Sequence, residues 1–208
     1  MVLTNVHVII ICVNYTDFLT YTYPQNIKFF EKDNFHIITD KSDTDTIAFC
    51  DSNKQHYRTF EFFKNAEINK AGAIHMMQKE LHEKYPNDWI LLLDADIILP
   101  EKFETYFNNN CNNKEALYSF KRKDYQKKDD FLNQVNLKDY GGVTFMGYMQ
   151  LYYNKTKYYH SYSKDCSNAD TFFRDAFFDT LTLLDNNDYV IHLGIEAVNC
   201  KGRVTEKW

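Results

Sequence analysis

Glycine and proline are scarce in this chain, six and three among 208 residues. That scarcity excludes collagen-like and Gly/Pro-rich low-complexity structure. Cysteine is sparse as well. Cys12, Cys50, Cys111, Cys166 and Cys200 are odd in number, widely spaced and form no Cys-x-x-Cys. Neither a disulfide scaffold nor a zinc knuckle is written here, so a reducing compartment, the cytoplasm, is expected. A basic excess is missing too: 24 Lys and Arg face 29 Asp and Glu, for a net charge of −5. A whole-protein nucleic-acid binder is therefore not expected. Long apolar runs are also absent. Val6 to Val13 is too short to span a bilayer and has no basic leader or small-residue cleavage site, so membrane insertion is not expected. Without an export signal, the glycosylation sequons at Asn14 and Asn154 read as chance matches.

What the chain does have is aromatic weight, with 17 Phe and 16 Tyr, far too many for an unfolded tail. The length suits one large domain, residues 1–208, with room for a core and a cleft. Val6 to Val13 is an almost unbroken β-branched run, as expected of a strand covered on both faces. Phe35 to Asp40 reads as a second strand, and Ile47 to Cys50 as a weaker third. Ile74, Met77, Leu81 and Tyr85 recur at helical spacing until Pro86 and Asn87 stop the helix. Trp89 to Leu93 is the next buried strand. This alternation predicts a three-layer α/β sandwich with a mostly parallel central sheet. Asn108 to Asn113 and the mixed charge run Lys121 to Asp130 read as solvated loops. Strand character returns over Val143 to Tyr153. A second helix is expected with Phe173, Phe177, Leu181 and Leu184 on one face, then a last strand, Tyr189 to His192.

Chemistry concentrates in Trp89-Ile90-Leu91-Leu92-Leu93-Asp94-Ala95-Asp96. Five apolar residues deliver two carboxylates to the carboxyl end of a buried strand, where open α/β sheets place their ligands. Residues two apart in an extended strand point the same way, so Asp94 and Asp96 are expected to share a face. Two such carboxylates repel each other and lose hydration, and a divalent cation relieves both costs. Hard oxygen ligands suit Mg²⁺ or Mn²⁺, which would draw in a diphosphate. The bland alternative is a capped turn before Pro100. An aspartyl phosphatase is disfavoured because its motif normally lies on the first strand.

With Asn69-Lys70-Ala71-Gly72-Ala73 opening a helix, Asp88 to Asp96 after it, and Val190-Ile191-His192-Leu193-Gly194, Asn199 and Gly202-Arg203 near the end, the chain resembles the nucleotide-sugar-dependent glycosyltransferases of the GT-A fold. The resemblance extends from Val6 to Arg203. The chain looks especially similar to the N-terminal glycosyltransferase domain of a multidomain chlorella-virus protein. That resemblance implies one module of a longer polypeptide, placed in the host cytoplasm.

For the site, the resemblance implies that Asp96 binds the metal, that Asp94 reaches the ribose or the metal shell, and that His192 completes the metal set. Carboxylates plus one imidazole favour Mn²⁺ over Mg²⁺. The turn Val13-Asn14-Tyr15 would seat the base; Asp40 would bind uracil or ribose, and Lys70 the nucleotide. As plainer alternatives, Asp40 could be a turn residue and Lys70 a solvated helix charge. Lys201 and Arg203 would neutralise the diphosphate, and Gly147 and Gln150 would line the sugar pocket. Transfer with inversion needs a carboxylate base on the acceptor side, with Asp170 the first choice and Asp175 the reserve. Tyr152, Tyr153, Tyr158, Tyr159 and Tyr162 could stack on sugars or simply pack.

The expected activity is inverting transfer of a hexose or deoxyhexose from a UDP-sugar, of the UDP-glucose or UDP-rhamnose type, to a glycan hydroxyl. By resemblance the acceptor is a glycan on a viral glycoprotein. Two rivals are weighed against it. A metal-dependent nucleotidyltransferase would usually carry a Gly-rich basic loop after the first strand, which Asn14-Tyr15-Thr16-Asp17 is not. A non-catalytic carbohydrate-binding module would use the tyrosines without nucleotide or cation.

Overall fold

The computed structural model describes residues 2–140, 148–154, 157–166, 169–185, 187–195 and 207–208. In chain order its principal elements are β1 (Val6–Ile11), α1 (Thr16–Asn26), β2 (Phe35–Thr39), α2 (Thr44–Ser52), β3 (Tyr57–Thr59), α3 (Lys70–Lys84), β4 (Trp89–Leu93) and β5 (Ile97–Ile98). These are followed by α4 (Phe103–Asn110), β6 (Leu117–Ser119), β7 (Lys121–Tyr125), α5 (Lys128–Leu132), β8 (Lys138–Asp139), β9 (Met149–Tyr153), α6 (Ala169–Asp175), β10 (Leu181–Leu183) and β11 (Tyr189–Leu193). Among the described residues the strands form a seven-stranded sheet, β10-β6-β9-β4-β1-β2-β3, and a four-stranded one, β5-β11-β7-β8.

The first half is wound as the apolar runs require. β1 pairs in parallel with β2 on one side and β4 on the other, and β3 extends β2. The chain thus moves outward from β1 through β2 to β3, and α3 then carries it back past β1 to β4. The strand order reverses between β1 and β4, and a crevice opens at the carboxyl ends of strands at such a point. β9 is antiparallel to β4, with Leu93 opposite Met149.

Period-2 alternation divides the core into two layers. Val6, Val8, Ile10 and Cys12 of the first strand and its exit pack with Trp89, Leu91 and Leu93 of β4, against Leu19 and Tyr23 of α1, Cys50 of α2, and Phe103 and Phe107 of α4. Ile9, Val13, Ile90 and Leu92 face the other way, against Ala73, Ile74, Met77 and Leu81 of α3 and Phe173 of α6. Both faces of β1 and β4 are covered, which explains their unbroken apolar sequence. Each fully buried aliphatic side chain contributes about 1.5–3 kcal/mol.

Several sequence expectations are corrected. Ile47 to Cys50 is helical, within α2. Asp43 caps that helix by accepting the Thr46 N–H, and the buried Thr46 and Cys50 are spaced one helical turn apart. The third strand is Tyr57–Thr59 instead. Part of the asparagine-rich stretch lies in α4. The charge run from Lys121 is a strand followed by a short helix, not a solvated loop, because Arg122 and Asp124 point inward and satisfy each other. The expected second long helix ends at Asp175; Phe173 and Phe177 are buried, but Leu181 lies in β10. No helix among the described residues is long and apolar enough to cross a membrane.

Candidate active site at the sheet's carboxyl edge

The carboxyl edge of β1 leads into a turn. Beyond β1, Val13 is buried and Asn14 takes a left-handed conformation, φ 59°, which asparagine tolerates better than most residues. The Asn14 N–H donates to Asp43 Oδ2 at 2.7 Å. The Tyr15 carbonyl accepts the N–H groups of Phe18 and Leu19, starting α1, and the Tyr15 ring lies 5.2 Å from that of Phe18. Asp43, which the sequence reading missed, therefore ties the first βα turn to the second; it also accepts from Thr39 and from the Thr46 hydroxyl. Its N-cap position before Thr44-Asp45-Thr46 was the available signal. Asp40, by contrast, is occupied locally. It accepts the Ser42 N–H at 2.9 Å, the Ser42 hydroxyl at 2.7 Å and the Phe62 N–H at 3.3 Å. Burial alone would raise its carboxyl, but these hydrogen bonds hold it below the usual range.

Asp94 and Asp96 do not share a strand face. β4 ends at Leu93 and the chain turns, the Ile97 N–H returning to the Asp94 carbonyl at 3.2 Å. The turn sends the two carboxylates to different partners. Asp94 faces Lys70, the first residue of α3, which donates to it at 2.8 Å and to Asp170 at 3.2 Å. Burial pushes the Asp94 carboxyl up to about 6; Lys70 opposes this, while Asp96 and Asp170 add to it. Burial would also lower the Lys70 ammonium, but Asp170 and Asp94 outweigh that and hold it well above its ordinary value. Lys70 is therefore a buried bridge, not a solvated helix charge. Asp170 is fixed further by Tyr159, whose hydroxyl lies 3.0 Å from Oδ1, and Gln150 Nε2 donates to the Asp170 carbonyl at 3.2 Å. Tyr159 also bonds Gln150 and stacks on Phe173.

Asp96 lies on the other side of the turn, beside His192. β11 pairs antiparallel with β5, and the Leu193 N–H donates to the Asp96 carbonyl at 2.9 Å. His192 Nε2 sits 3.5 Å from Asp96 Oδ2, and Nδ1 sits 3.5 Å from Asp124 Oδ1. Asp96 Oδ1 is buried with no hydrogen-bond partner. Burial would lower the imidazole, yet the flanking Asp96 and Asp124 raise it to about 9. Gly194 follows with φ 101° and donates its N–H to the Tyr125 carbonyl, so the His192-Leu193-Gly194 pattern ends the strand in a turn that an L side chain would strain.

Asp175 is half-exposed and pairs with its neighbour Arg174, with no contact to this cluster. Tyr152, Tyr153 and Tyr159 are buried packing residues, and of the five candidate tyrosines only Tyr158 and Tyr162 are exposed. Gly147, Lys201 and Arg203 lie outside the described residues. Asp124 and its partner Arg122 escaped the sequence reading because they sit in what looked like a solvated charge run.

No family model and no curated protein matches the sequence. Solved structures do. A Bacillus anthracis protein assigned as a glucose-1-phosphate thymidylyltransferase, in complex with sucrose, has a TM-score of 0.50 at 14% identity, covering 88% of this chain and 86% of that one. The galactosyltransferase LgtC, in complex with donor and acceptor sugar analogues, has a TM-score of 0.49 at 12% identity, covering 95% and 92%. A 4-diphosphocytidyl-2C-methyl-D-erythritol synthase has a TM-score of 0.47 at 13% identity, covering 99% and 94%. At such identities the likeness is one of fold. The chain has the GT-A-like, Rossmann-like α/β sandwich with a mostly parallel central sheet.

Proposed function

We propose that this chain is a divalent-cation-dependent glycosyltransferase that moves a hexose or deoxyhexose from a UDP-sugar to a glycan hydroxyl. The observation that carries the reading is the meeting of Asp96 and His192 beside the crevice, with one carboxylate oxygen buried and lacking a donor. A buried, unsatisfied oxygen is costly unless a ligand completes it. Carboxylate oxygen with imidazole nitrogen is a donor set that fits Mn²⁺, and Mg²⁺ less well. When bound, the cation would supply positive charge against the departing diphosphate.

The protein's own groups do the rest. The Val13-Asn14-Tyr15 turn, at the carboxyl end of β1, would seat the base. Lys70 fixes Asp94 and Asp170 on one ammonium, which brings the acceptor-side carboxylate next to the donor-side one. Asp170 Oδ1 or Oδ2 is the acceptor for the attacking hydroxyl's proton in an inverting reaction. Asp175, exposed and paired with Arg174, is a weaker choice. Nucleotidyl transfer draws on the same fold. The turn after β1, however, enters α1 at Thr16 without any glycine to cradle a triphosphate.

Calorimetric titration of UDP with Mn²⁺ and with EDTA tests the reading. Cation-dependent UDP affinity is expected, and Asp96→Ala should abolish that dependence and lower sugar transfer more than about 100-fold. UDP affinity indifferent to EDTA overturns the proposal. Glycan binding without nucleotide or cation would indicate a binding module, and pyrophosphate release from UTP and a sugar phosphate would indicate a nucleotidyltransferase.

A further inference from the structure

Behind His192 stands a second carboxylate. β7 and β11 pair in parallel with Asp124 directly opposite His192, so the fold itself brings them side by side. The imidazole lies between two acids on its two nitrogens: Asp96 on Nε2 and Asp124 on Nδ1, each at 3.5 Å. Asp124 is buried and gripped in turn by Arg122, whose Nε donates to Oδ1 at 2.9 Å and whose Nη2 donates to Oδ2 at 3.3 Å. The Arg122 guanidinium carbon lies 3.7 Å from the centre of the Tyr140 ring and 5.1 Å from that of Tyr148, which fixes the fork from its faces. Arg122, Asp124, His192 and Asp96 form a row whose far end is held by planar, two-pronged pairing.

In the free protein both nitrogens face a carboxylate at 3.5 Å, and Nδ1 is buried without a hydrogen-bond partner. An imidazole that ligates a cation is neutral and carries one N–H, on the nitrogen turned away from the ion. A cation shared with Asp96 would take Nε2, which leaves the Nδ1 hydrogen for Asp124, the acid that Arg122 already fixes. We infer that Asp124, clamped by Arg122, is a positioning residue that fixes the tautomer and orientation of His192 so that Nε2 faces a divalent cation shared with Asp96. The inference rests on the cation-dependent reading above and adds the residues that determine how tightly the cation is held.

Electron paramagnetic resonance of Mn²⁺, titrated into the protein with saturating UDP, tests it. In the unaltered protein the aqueous Mn²⁺ signal should disappear on binding and the bound ion should show ¹⁴N modulation from the histidine. Asp124→Asn should weaken Mn²⁺ binding about 10–100-fold and reduce that modulation, with UDP affinity in EDTA unchanged. Because Asp124→Asn leaves Arg122 without its charged partner, the pair Asp124→Leu with Arg122→Met, apolar side chains of similar shape, is read in the same way. Thermal melting confirms that each variant is folded. Should His192→Ala lose Mn²⁺ affinity while both Asp124 variants keep unaltered affinity and ¹⁴N modulation, Asp124 has no positioning role and the cation reading survives. Should the unaltered protein take up no Mn²⁺, both fall.

Discussion

A single ammonium group holds Asp94 and Asp170 together, although Asp170 follows Lys70 by 100 positions. Lys70 is only 12% exposed, so its removal would leave two neighbouring carboxylates without their shared counter-charge. Lys70→Met is expected to destabilise the protein by about 2–3 kcal/mol, below the range for a fully buried pair because Asp94 is 34% exposed. Urea unfolding measures this. Adding Asp170→Asn should recover about 1 kcal/mol, and strict additivity of the two changes would show that they do not interact. At this scale the sequence was informative wherever a polar residue interrupted or ended an apolar pattern. Asp94, Asp96 and His192 sit at such places, whereas Lys70 and Asp170 were singled out only through the family resemblance. Asp124 and Arg122 were not legible because each is a charge among charges, and only pairing across strands shows which of them point inward.

At the scale of elements, the start of α3 shows how a local motif serves the site. Asn69 caps the helix by accepting the Gly72 N–H at 2.9 Å, and the same oxygen accepts the Ser163 N–H at 2.8 Å. A Cβ on residue 72 would meet the Asn69 side chain at 2.6–2.9 Å, so the glycine makes room for the cap that places Lys70. Gly72→Ala would gain about 1 kcal/mol of helix propensity. It would displace a cap worth about 0.5–2 kcal/mol and a second hydrogen bond with it. The expected outcome is a lower melting temperature and weaker UDP binding, measured together by thermal shift; a stabilised variant would show that the cap adjusts freely. Strands β1 and β4 were readable because burial on both faces demands an apolar run. The β-branched and aromatic residues of α2 suggested a strand, and a capping aspartate with one-turn burial spacing decided otherwise. β7 had no apolar alternation to read, since its inward positions are an ion pair and a tyrosine.

Across the whole molecule, the carboxyl edge of the parallel strands carries the candidate chemistry and the amino edge carries a titrating cluster. His7 Nδ1 lies 3.3 Å from His36 Nε2, and His7 Nε2 lies 3.1 Å from Asp88. Burial, with help from His7, Arg58 and Lys84, drives the His36 imidazole down to about 3, and burial lowers His7 as well despite Asp88. The folded protein thus keeps both rings neutral where the unfolded chain, with ordinary values of 6.5, would protonate them. The unfolded state binds more protons in that window, so stability is full above pH 6.5 and is lost progressively as pH falls toward about 3. Chemical unfolding at pH 7.5 and pH 5 should differ by on the order of 1–2 kcal/mol, equivalent to several degrees in melting temperature. His36→Gln should flatten that difference, and an unchanged slope would remove the cluster as its source.

The insertion of β11 between β5 and β7 sets the order in which competence arrives. During synthesis the parallel strands that display Asp94 and Asp96 emerge early, yet the imidazole that stands beside Asp96 follows almost a hundred residues later. A ribosome-bound intermediate lacking that final insertion has a sheet but not the Asp96–His192 pair. Long-range pairings of this kind close slowly and late. On the proposed reading, Mn²⁺-dependent nucleotide affinity would appear only once β11 has joined the sheet.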